Sequence, residues 1–521
     1  MIDLRLHAAR VAAIARSGYL SAPPHVLAGG LLGLHRYGPA AGAVMAAGRR
    51  FGDRTLLIDE NGALSARELD ERSTALAHWL IADGAAPGDG AGILCRNHRG
   101  FCDALFAASK AGLRCVLLNT EFAAPQLEAV CAREGIGTLI VDDDLLDRVP
   151  ASAERVVSTS QAESLIEQHR GARISPPAEH AALVVLTSGT TGTPKGAPRE
   201  NVSPIVTIGA LLGAVPFRNG QGVLIAPPLF HSLGLATLML NLGLGSPVVL
   251  RRRFEADAVL DDLARTHAGA LVVVPVMLQR LLDAKAARPE LELPDLELIM
   301  CGGAQLSGPL ATRTLDALGD VLHVMYGSTE VAYATCTTPA DLRDAPTTVG
   351  RPCLGATVRL FDSDDRELTE QGATGRIFVG NGNEFAGYTD GSAKHVIDGL
   401  IATGDVGHFD AAGRLFIDGR DDEMIVSGGE NVFPAEVEDL LAAHPAIADV
   451  SVIGAEDETW GHRLVAFAVP AGGHTIDPAE IKEHVRERLA RYKVPRDVIV
   501  LDELPRNATG KVLKRVLREQ L

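Results

Sequence analysis

Residues 186–196 read Leu-Thr-Ser-Gly-Thr-Thr-Gly-Thr-Pro-Lys-Gly, eleven positions that combine hydroxyls, glycines and one lysine. Hydroxyl and backbone N–H groups of Thr187, Ser188, Gly189, Thr190, Thr191 and Gly192 can wrap phosphate oxygens, and Lys195 adds a point charge. Gly189, Gly192 and Gly196 permit close backbone approach, and Pro194 sets a turn. The pattern is not Walker A, because no Gly-Lys-Ser/Thr stands at the required spacing. A flexible polar linker is the plain alternative, but a linker has no use for the Pro-Lys-Gly end.

The loop needs a strand to carry it, and the apolar run 182–186 supplies one. Upstream, Ser65 and Glu68 form a capping box opening a helix with Leu69, Leu76 and Leu80 on one face. A Gly/Pro turn at 84–90 then leads into alternating segments: strands at 93–95, 115–118 and 139–141, helices at 101–111 and 125–134. That alternation predicts a βαβ series with a parallel sheet. A second series runs through strands at 222–225, 247–250, 271–275 and 298–301. From about residue 348 the texture changes to short strands (357–361, 375–379, 414–417), as in a small antiparallel sheet or barrel. After Arg420 a compact α+β unit is expected, with helices at 435–443 and 478–489 and strands at 450–453, 464–469 and 498–501. The polar cluster 419–423 is the expected junction.

At 521 residues the chain exceeds one core. The expected fold is α/β: a large N-terminal body of two βαβ-type sheets plus a small β-barrel-like subdomain, followed by a small mobile α+β domain. The expected bounds are 1–45 for an N-terminal extension, 46–421 for the body (β-rich part about 348–420) and 422–521 for the small domain. A net charge of −17 argues against nucleic-acid partners. Seven scattered cysteines without a C-x-x-C argue against a zinc site or disulfide framework and suit a reducing cytoplasm. No secretory signal is evident, because Arg5, His7, Arg10 and Arg16 interrupt the first apolar residues. Residues 219–250 lack Asp, Glu, Lys and Arg, but glycines and Pro/Ser breaks favour strand, buried helix and strand over a membrane span. The first 45 residues, basic and apolar together, either pack as a helix pair or touch a membrane surface peripherally. Residues 482–521 carry eleven Lys/Arg against six Asp/Glu, either a surface for anionic small molecules or an ordinary solvated face.

Four further motifs follow the phosphate loop: Met325-Tyr326-Gly327-Ser328-Thr329-Glu330, Ala402-Thr403-Gly404-Asp405, Asp418-Gly419-Arg420-Asp421-Asp422 and Pro505-Arg506-Asn507-Ala508-Thr509-Gly510-Lys511. Their order and spacing resemble the adenylate-forming superfamily of acyl-CoA synthetases, peptide-synthetase adenylation domains and firefly-type luciferases, over residues 51–521. The segment Gly196-Ala197-Pro198-Arg199, the N-terminal extension and Ser427-Gly428-Gly429-Glu430-Asn431 look most like actinobacterial FadD-type fatty-acyl-CoA ligases. One departure stands out: Ile401 sits two places before Thr403-Gly404-Asp405, where the family often has an aromatic residue.

The resemblance implies an acid-thiol ligase. ATP and a hydrophobic, fatty-type carboxylic acid would give acyl-AMP, and coenzyme A would then take the acyl group; a carrier-protein thiol or an amine is the alternative acceptor. It implies that residues 187–195 hold the β- and γ-phosphates, that Glu330 binds Mg²⁺ and that Thr329 meets the α-phosphate. Gly302, Gly303, Ala304, Tyr326 and Gly327 would form the adenine slot, Asp405 would accept from the ribose hydroxyls and Arg420 would assist. Lys511 would bridge carboxylate and α-phosphate. Asp422 matches the hinge, Gly428 and Gly429 the coenzyme A tunnel, and His231 the junction of acyl pocket and tunnel. Arg251, Arg252 and Arg253 are either solvated or a contact for the coenzyme A nucleotide.

Overall fold

The computed structural model describes residues 4–187, 195–198, 204–383, 387–421, 425–427, 430–457, 461–507 and 510–521. Two large sheets make the body. The six-stranded sheet runs in the order Arg155–Ser158, Ile136–Val141, Gly90–Leu94, Arg114–Leu117, Leu183–Thr187, Lys195–Pro198, parallel except for the last strand. The nine-stranded sheet has a parallel centre of Leu322–Tyr326, Leu298–Gly302, Ala270–Val273, Val223–Ile225 and Val248–Val249. Its interior strands are nearly continuous apolar runs because helices cover both faces, the pattern a buried parallel sheet demands. Both expected βαβ series are therefore present, one in each sheet. Residues 219–250 fold as the strand Val223–Ile225, the helix Ser232–Leu244 and the strand Val248–Val249.

Between the sheets runs the helix Arg99–Lys110, in which every residue but Gly100 is buried. Burial lowers the pKa of Lys110, and Asp70 Oδ1 at 2.6 Å, Ser73 Oγ and Thr74 Oγ1 answer its ammonium from the neighbouring helix Ala66–Ala82. That helix begins at the expected capping box: Ser65 accepts from the Glu68 N–H, and Glu68 accepts from the Ser65 N–H. Such a cap stabilises a helix by about 1 kcal/mol.

The expected helix pair at the N-terminus is three helices: α1 (Leu4–Arg16), α2 (Pro24–Tyr37) and α3 (Pro39–Phe51). Gly38, at φ +80°, and Pro39 turn the chain between α2 and α3, a break that the apolar pattern alone does not mark. The two helices then approach backbone to backbone, since a Cβ on Gly42 would lie 2.5 Å from the Leu34 Cα. No described helix is long and apolar enough to cross a membrane.

A five-stranded antiparallel sheet follows, built on Leu400–Phe409. Ile401 is buried there beside Val379, so an aliphatic side chain fills that position. Last comes the α+β unit, in which the long hairpin Ile447–Asp457 and Gly461–Pro470 carries the helices Pro434–Ala442 and Pro478–Arg486. Its basic excess is largely spent in ion pairs. Arg486, Arg488 and Arg515 meet Glu483, Glu487 and Glu519, while Lys493, Arg506 and Lys514 meet Glu436, Asp449 and Glu438. The seven cysteines are free thiols, six of them buried.

Candidate active site

A cavity of about 2010 Å³ lies at the carboxyl ends of the parallel strands of the nine-stranded sheet and reaches beneath the C-terminal unit. Open α/β sheets place ligands there, because the loops leaving the strands diverge. His231, Gly303, Ala304, Tyr326, Gly327, Thr329 and Glu330 line it from those loops; Asp405 and Arg420 line it from the antiparallel sheet and Lys511 from the C-terminal unit. Gly302 closes its strand just behind, where a Cβ would sit 2.9 Å from the Met325 carbonyl. Of the phosphate loop, Thr187 ends one strand opposite Lys195 at the start of the next. Ser188, Gly189, Thr190, Thr191 and Gly192 lie outside the described residues, as do Asp422, Gly428 and Gly429.

Lys195 is fixed from a segment that motif reading passes over. Its Nζ is 2.9 Å from Asp390 Oδ2, donates to Ser392 Oγ at 3.0 Å and stands 5.5 Å from the Tyr388 ring centroid. Thr389 clasps the strand behind it through two hydrogen bonds to the Gly196 backbone. Tyr388 completes the link by donating its phenol to Glu330 Oε1 at 2.5 Å. Burial would raise the pKa of Glu330, but hydrogen bonds from Tyr388 and Ser328 and the charge of Lys394 outweigh it and hold the group below the usual value. Glu330 is thus an anion at neutral pH.

No group of three or more His, Cys, Asp or Glu among the described residues forms a metal cage. A single ionised carboxylate on the cavity wall suits Mg²⁺, which takes one or two carboxylates and draws its other ligands from phosphate and water. Glu330 fits that requirement. Across the cavity Tyr326 donates to Asp405 Oδ2 at 2.6 Å, and Arg420 donates to Asp405 Oδ1 at 3.0 Å. Asp405 and Arg420 face one another across paired strands, so the register of the hairpin sets the contact. Gly404 makes room for the guanidinium, since a Cβ there would lie 3.1 Å from Arg420 Nη2.

Lys511 arrives on a tight loop. Asn507 Oδ1 accepts from the Lys511 N–H at 2.9 Å, and Asp449 grips Arg506 through both carboxylate oxygens at 2.9 and 2.7 Å. Gly510, at φ +77°, sits so close to the body that a Cβ would lie 2.3 Å from Val276 Cγ1. Two further contacts seat the unit: Gln279 Nε2 donates to the Ala448 carbonyl at 3.0 Å, and Gln305 Nε2 lies 3.5 Å from Asp439 Oδ2. His231 lies against Phe230 with ring centroids 4.6 Å apart and the rings tilted by 50°. Burial pushes its pKa down to about 4, so the ring is neutral, and its Nε2 has no hydrogen-bond partner among the described residues.

Part of the cavity lining forms an apolar arm built from the body and the N-terminal helices. Leu211, Leu235, Met239 and Leu105 line it from the body, and Leu34, Tyr37, Ala40 and Ala43 from α2 and α3; none of these carries a charge. Sequence reading missed this contribution of the N-terminal helices, together with Tyr388, Asp390 and Asp449. Only the tyrosine in Gly387-Tyr388-Thr389-Asp390, an aromatic in an otherwise polar turn, offered a signal.

The arrangement is that of a nucleotide-dependent adenylating enzyme. The sequence pattern of the AMP-binding enzyme family matches residues 44–389, and that of the AMP-binding enzyme C-terminal domain matches residues 436–511. The chain belongs to the AMP-binding enzyme family. It is 33% identical over 475 residues to an indoleacetate–CoA ligase from Aromatoleum aromaticum, covering 85% of this chain and 90% of that one. It is 31% identical over 488 residues to a fatty acid–[acyl-carrier-protein] ligase, ScoC, from Streptomyces coeruleorubidus, covering 89% and 93%. Among solved structures, the amide bond synthetase McbA from Marinactinospora thermotolerans superposes with a TM-score of 0.83 at 28% identity, covering 92% of this chain and 99% of that one.

Proposed function

We propose that the chain joins a carboxylic acid with an apolar body to AMP and then passes the acyl group to the thiol of coenzyme A. In the first step a carboxylate oxygen attacks the α-phosphorus of ATP; that bond forms as the α-phosphorus–oxygen bond to pyrophosphate breaks. In the second the thiolate attacks the acyl carbonyl and AMP leaves. The observation that carries this reading is the seating of Gly510 against Val276, which puts Lys511 on the wall of the cavity shared by Glu330 and Asp405. A cation there neutralises the charge that gathers as carboxylate meets α-phosphate.

In this reading Asp405 and Arg420 hold the ribose, and Gly302, Gly303, Ala304, Tyr326 and Gly327 hold the adenine. Thr329 meets the α-phosphate, and Lys195 with residues 187–192 holds the outer phosphates. Mg²⁺, when bound at Glu330, supplies neutralising charge for the phosphates. Residues 46–421 act as the adenylating body and 422–521 as a lid turning about Asp422, with Gly428 and Gly429 admitting the thiol arm and neutral His231 at the acyl junction. The uncharged arm suits a fatty chain or a fused aromatic acid, and the relatives' names include both kinds of acid. Transfer to a carrier protein or an amine is the second reading, favoured by the names of ScoC and McbA. The unpaired thiols support a cytoplasmic setting.

The test is a panel of carboxylic acids with pyrophosphate detection, run with and without coenzyme A. Acid-dependent pyrophosphate release followed by thioester formation is expected; AMP without any thioester would overturn the choice of acceptor. Lys511→Ala is expected to slow pyrophosphate release by about a hundredfold or more while sparing thioester formation from supplied acyl-AMP. Equal loss of both steps would overturn the division of labour.

A further inference from the structure

Among the described residues, seven lysines and arginines line the cavity. Lys195, Arg313, Arg420, Arg506 and Lys514 each stand 2.5–3.7 Å from a carboxylate oxygen. Lys394 and Lys511 have no such ion-pair partner among the described residues. Lys511 already has a part in the proposed first step. Lys394 lies in none of the motifs, yet it is half-buried on the wall of the same cavity. A lysine on open surface is satisfied by water, whereas one held in a cavity wall is placed to meet an anion there.

Its position says which anion. Lys394 ends the segment 388–394, whose other members grip the two sides of the proposed phosphate site. Tyr388 donates to Glu330 Oε1, Thr389 bonds the Gly196 backbone, and Ser392 Oγ accepts from Lys195 at 3.0 Å. Two residues separate Lys394 from Ser392, so their Cα atoms are at most about 7 Å apart. The charge of Lys394 also reaches Glu330 and helps to hold it as an anion.

The balance of charge in the body points the same way. Asp390 offsets Lys195, and Arg420 offsets Asp405. Glu330 and Lys394 are left over, and with Glu330 engaged by Mg²⁺ the lysine ammonium has its three donors free for phosphate oxygens. The acid carboxylate and α-phosphate would meet at Lys511, on the C-terminal unit, so a cation tied to the Lys195 side suits the phosphates beyond. We propose that Lys394 binds the β- and γ-phosphates of ATP and the pyrophosphate they become. This assignment rests on the proposed adenylation. In the proposed cycle Lys511 leaves with its unit, whereas Lys394 stays with the body and keeps its grip on the outer phosphates.

Calorimetric titration of the full chain with ATP, pyrophosphate and AMP, magnesium present throughout, tests it. Lys394→Gln is expected to weaken ATP and pyrophosphate about tenfold or more, the loss of a charged hydrogen bond. AMP lacks the outer phosphates, so its affinity should equal that of the parent, which also shows that the variant is folded. Lys394→Arg keeps the charge and should retain most of the affinity for ATP and pyrophosphate. In turnover, the KM for magnesium–ATP should rise in the glutamine variant while the KM for the acid stays unchanged. Unaltered ATP and pyrophosphate affinities overturn the proposal and make Lys394 an ordinary solvated lysine. Equal weakening of AMP overturns it too, placing the residue at the nucleoside or in the fold. A rise confined to the KM of the acid overturns it in favour of a contact to the carboxylate. A parent that binds pyrophosphate through Lys394 but releases none with any acid would count against the proposed activity and leave this assignment standing.

Discussion

Tyr388 reaches Glu330 from 58 residues further along the chain, and the contact joins the two sides of the proposed phosphate site. On one side Lys195 is held by Asp390 and Ser392, on the other Glu330 is held as an anion, and Tyr388 touches both. A hydrogen bond to a charged group contributes roughly 1.5–3 kcal/mol. Tyr388→Phe removes it while keeping the ring, so the pKa of Glu330 should rise. The sign follows: an acid whose pKa is depressed is ionised down to lower pH, so losing the bond moves the acid limb of pyrophosphate release to higher pH. At neutral pH Glu330 remains ionised in the variant, and the cost should appear as about a tenfold higher KM for magnesium–ATP, recovered in part by excess magnesium. An unchanged acid limb and KM would show Tyr388 to be a packing residue. That Glu330, Asp405, Arg420 and Lys511 would meet at one cavity was legible, because each sits in a short motif of polar residues and glycines that could be singled out along the chain. Tyr388 was not, because its partner is distant in sequence and a lone tyrosine beside glycine reads as a turn.

At the scale of elements, the strands and crossovers were legible wherever burial on both faces forces continuous apolar runs, as at Leu298–Gly302 and Ala270–Val273. The three N-terminal helices were less so. Their separation depends on Gly38 and on the fit of Gly42 against Leu34, contacts between residues of no chemical distinction. How the C-terminal unit docks was not legible at all, since Gln279, Gln305 and Asp439 belong to no motif. Asp439 is expected to make that docking sensitive to pH. Burial, with the neighbouring Glu438 charge adding to it, raises its pKa from the ordinary 3.8 to about 7. In the docked arrangement the carboxyl therefore holds a proton at mildly acidic pH, which the proposed swing of the unit would release. Docking is favoured below the ordinary carboxylate range, weakens as pH rises toward 7 and stays weakened above it. Energy transfer between labels on the body and the C-terminal unit should report less docked protein at about pH 8 than at about pH 5. Asp439→Asn should flatten that dependence and leave more docked protein at the higher pH. A parent with no pH dependence would show that the carboxyl is ionised in both arrangements.

For the molecule as a whole, one arrangement serves one of the two proposed steps. With Gly510 against Val276 and Gln279 bonded to the Ala448 carbonyl, Lys511 occupies the wall where acid and α-phosphate would meet. The proposed tunnel glycines belong to the same unit, so in the proposed cycle bringing them in requires moving the lysine out, and the swing becomes part of each turnover. Cysteines placed at Gln279 and Ala448, joined by a short bis-maleimide, would hold the unit in the arrangement seen here. The parent is a clean background, because six of its seven thiols are buried and the seventh, Cys336, is half-buried. The bridged protein is expected to release pyrophosphate once, to the extent of one acyl-AMP per site, and then to stop. Supplied acyl-AMP and coenzyme A should give it no thioester, whereas the unbridged double variant should carry out both steps. A disulfide-containing linker in place of the maleimide should restore thioester formation on reduction. If the bridged protein turned over at the unbridged rate, one arrangement would suffice for both steps, and Lys511 and the tunnel would have to act side by side.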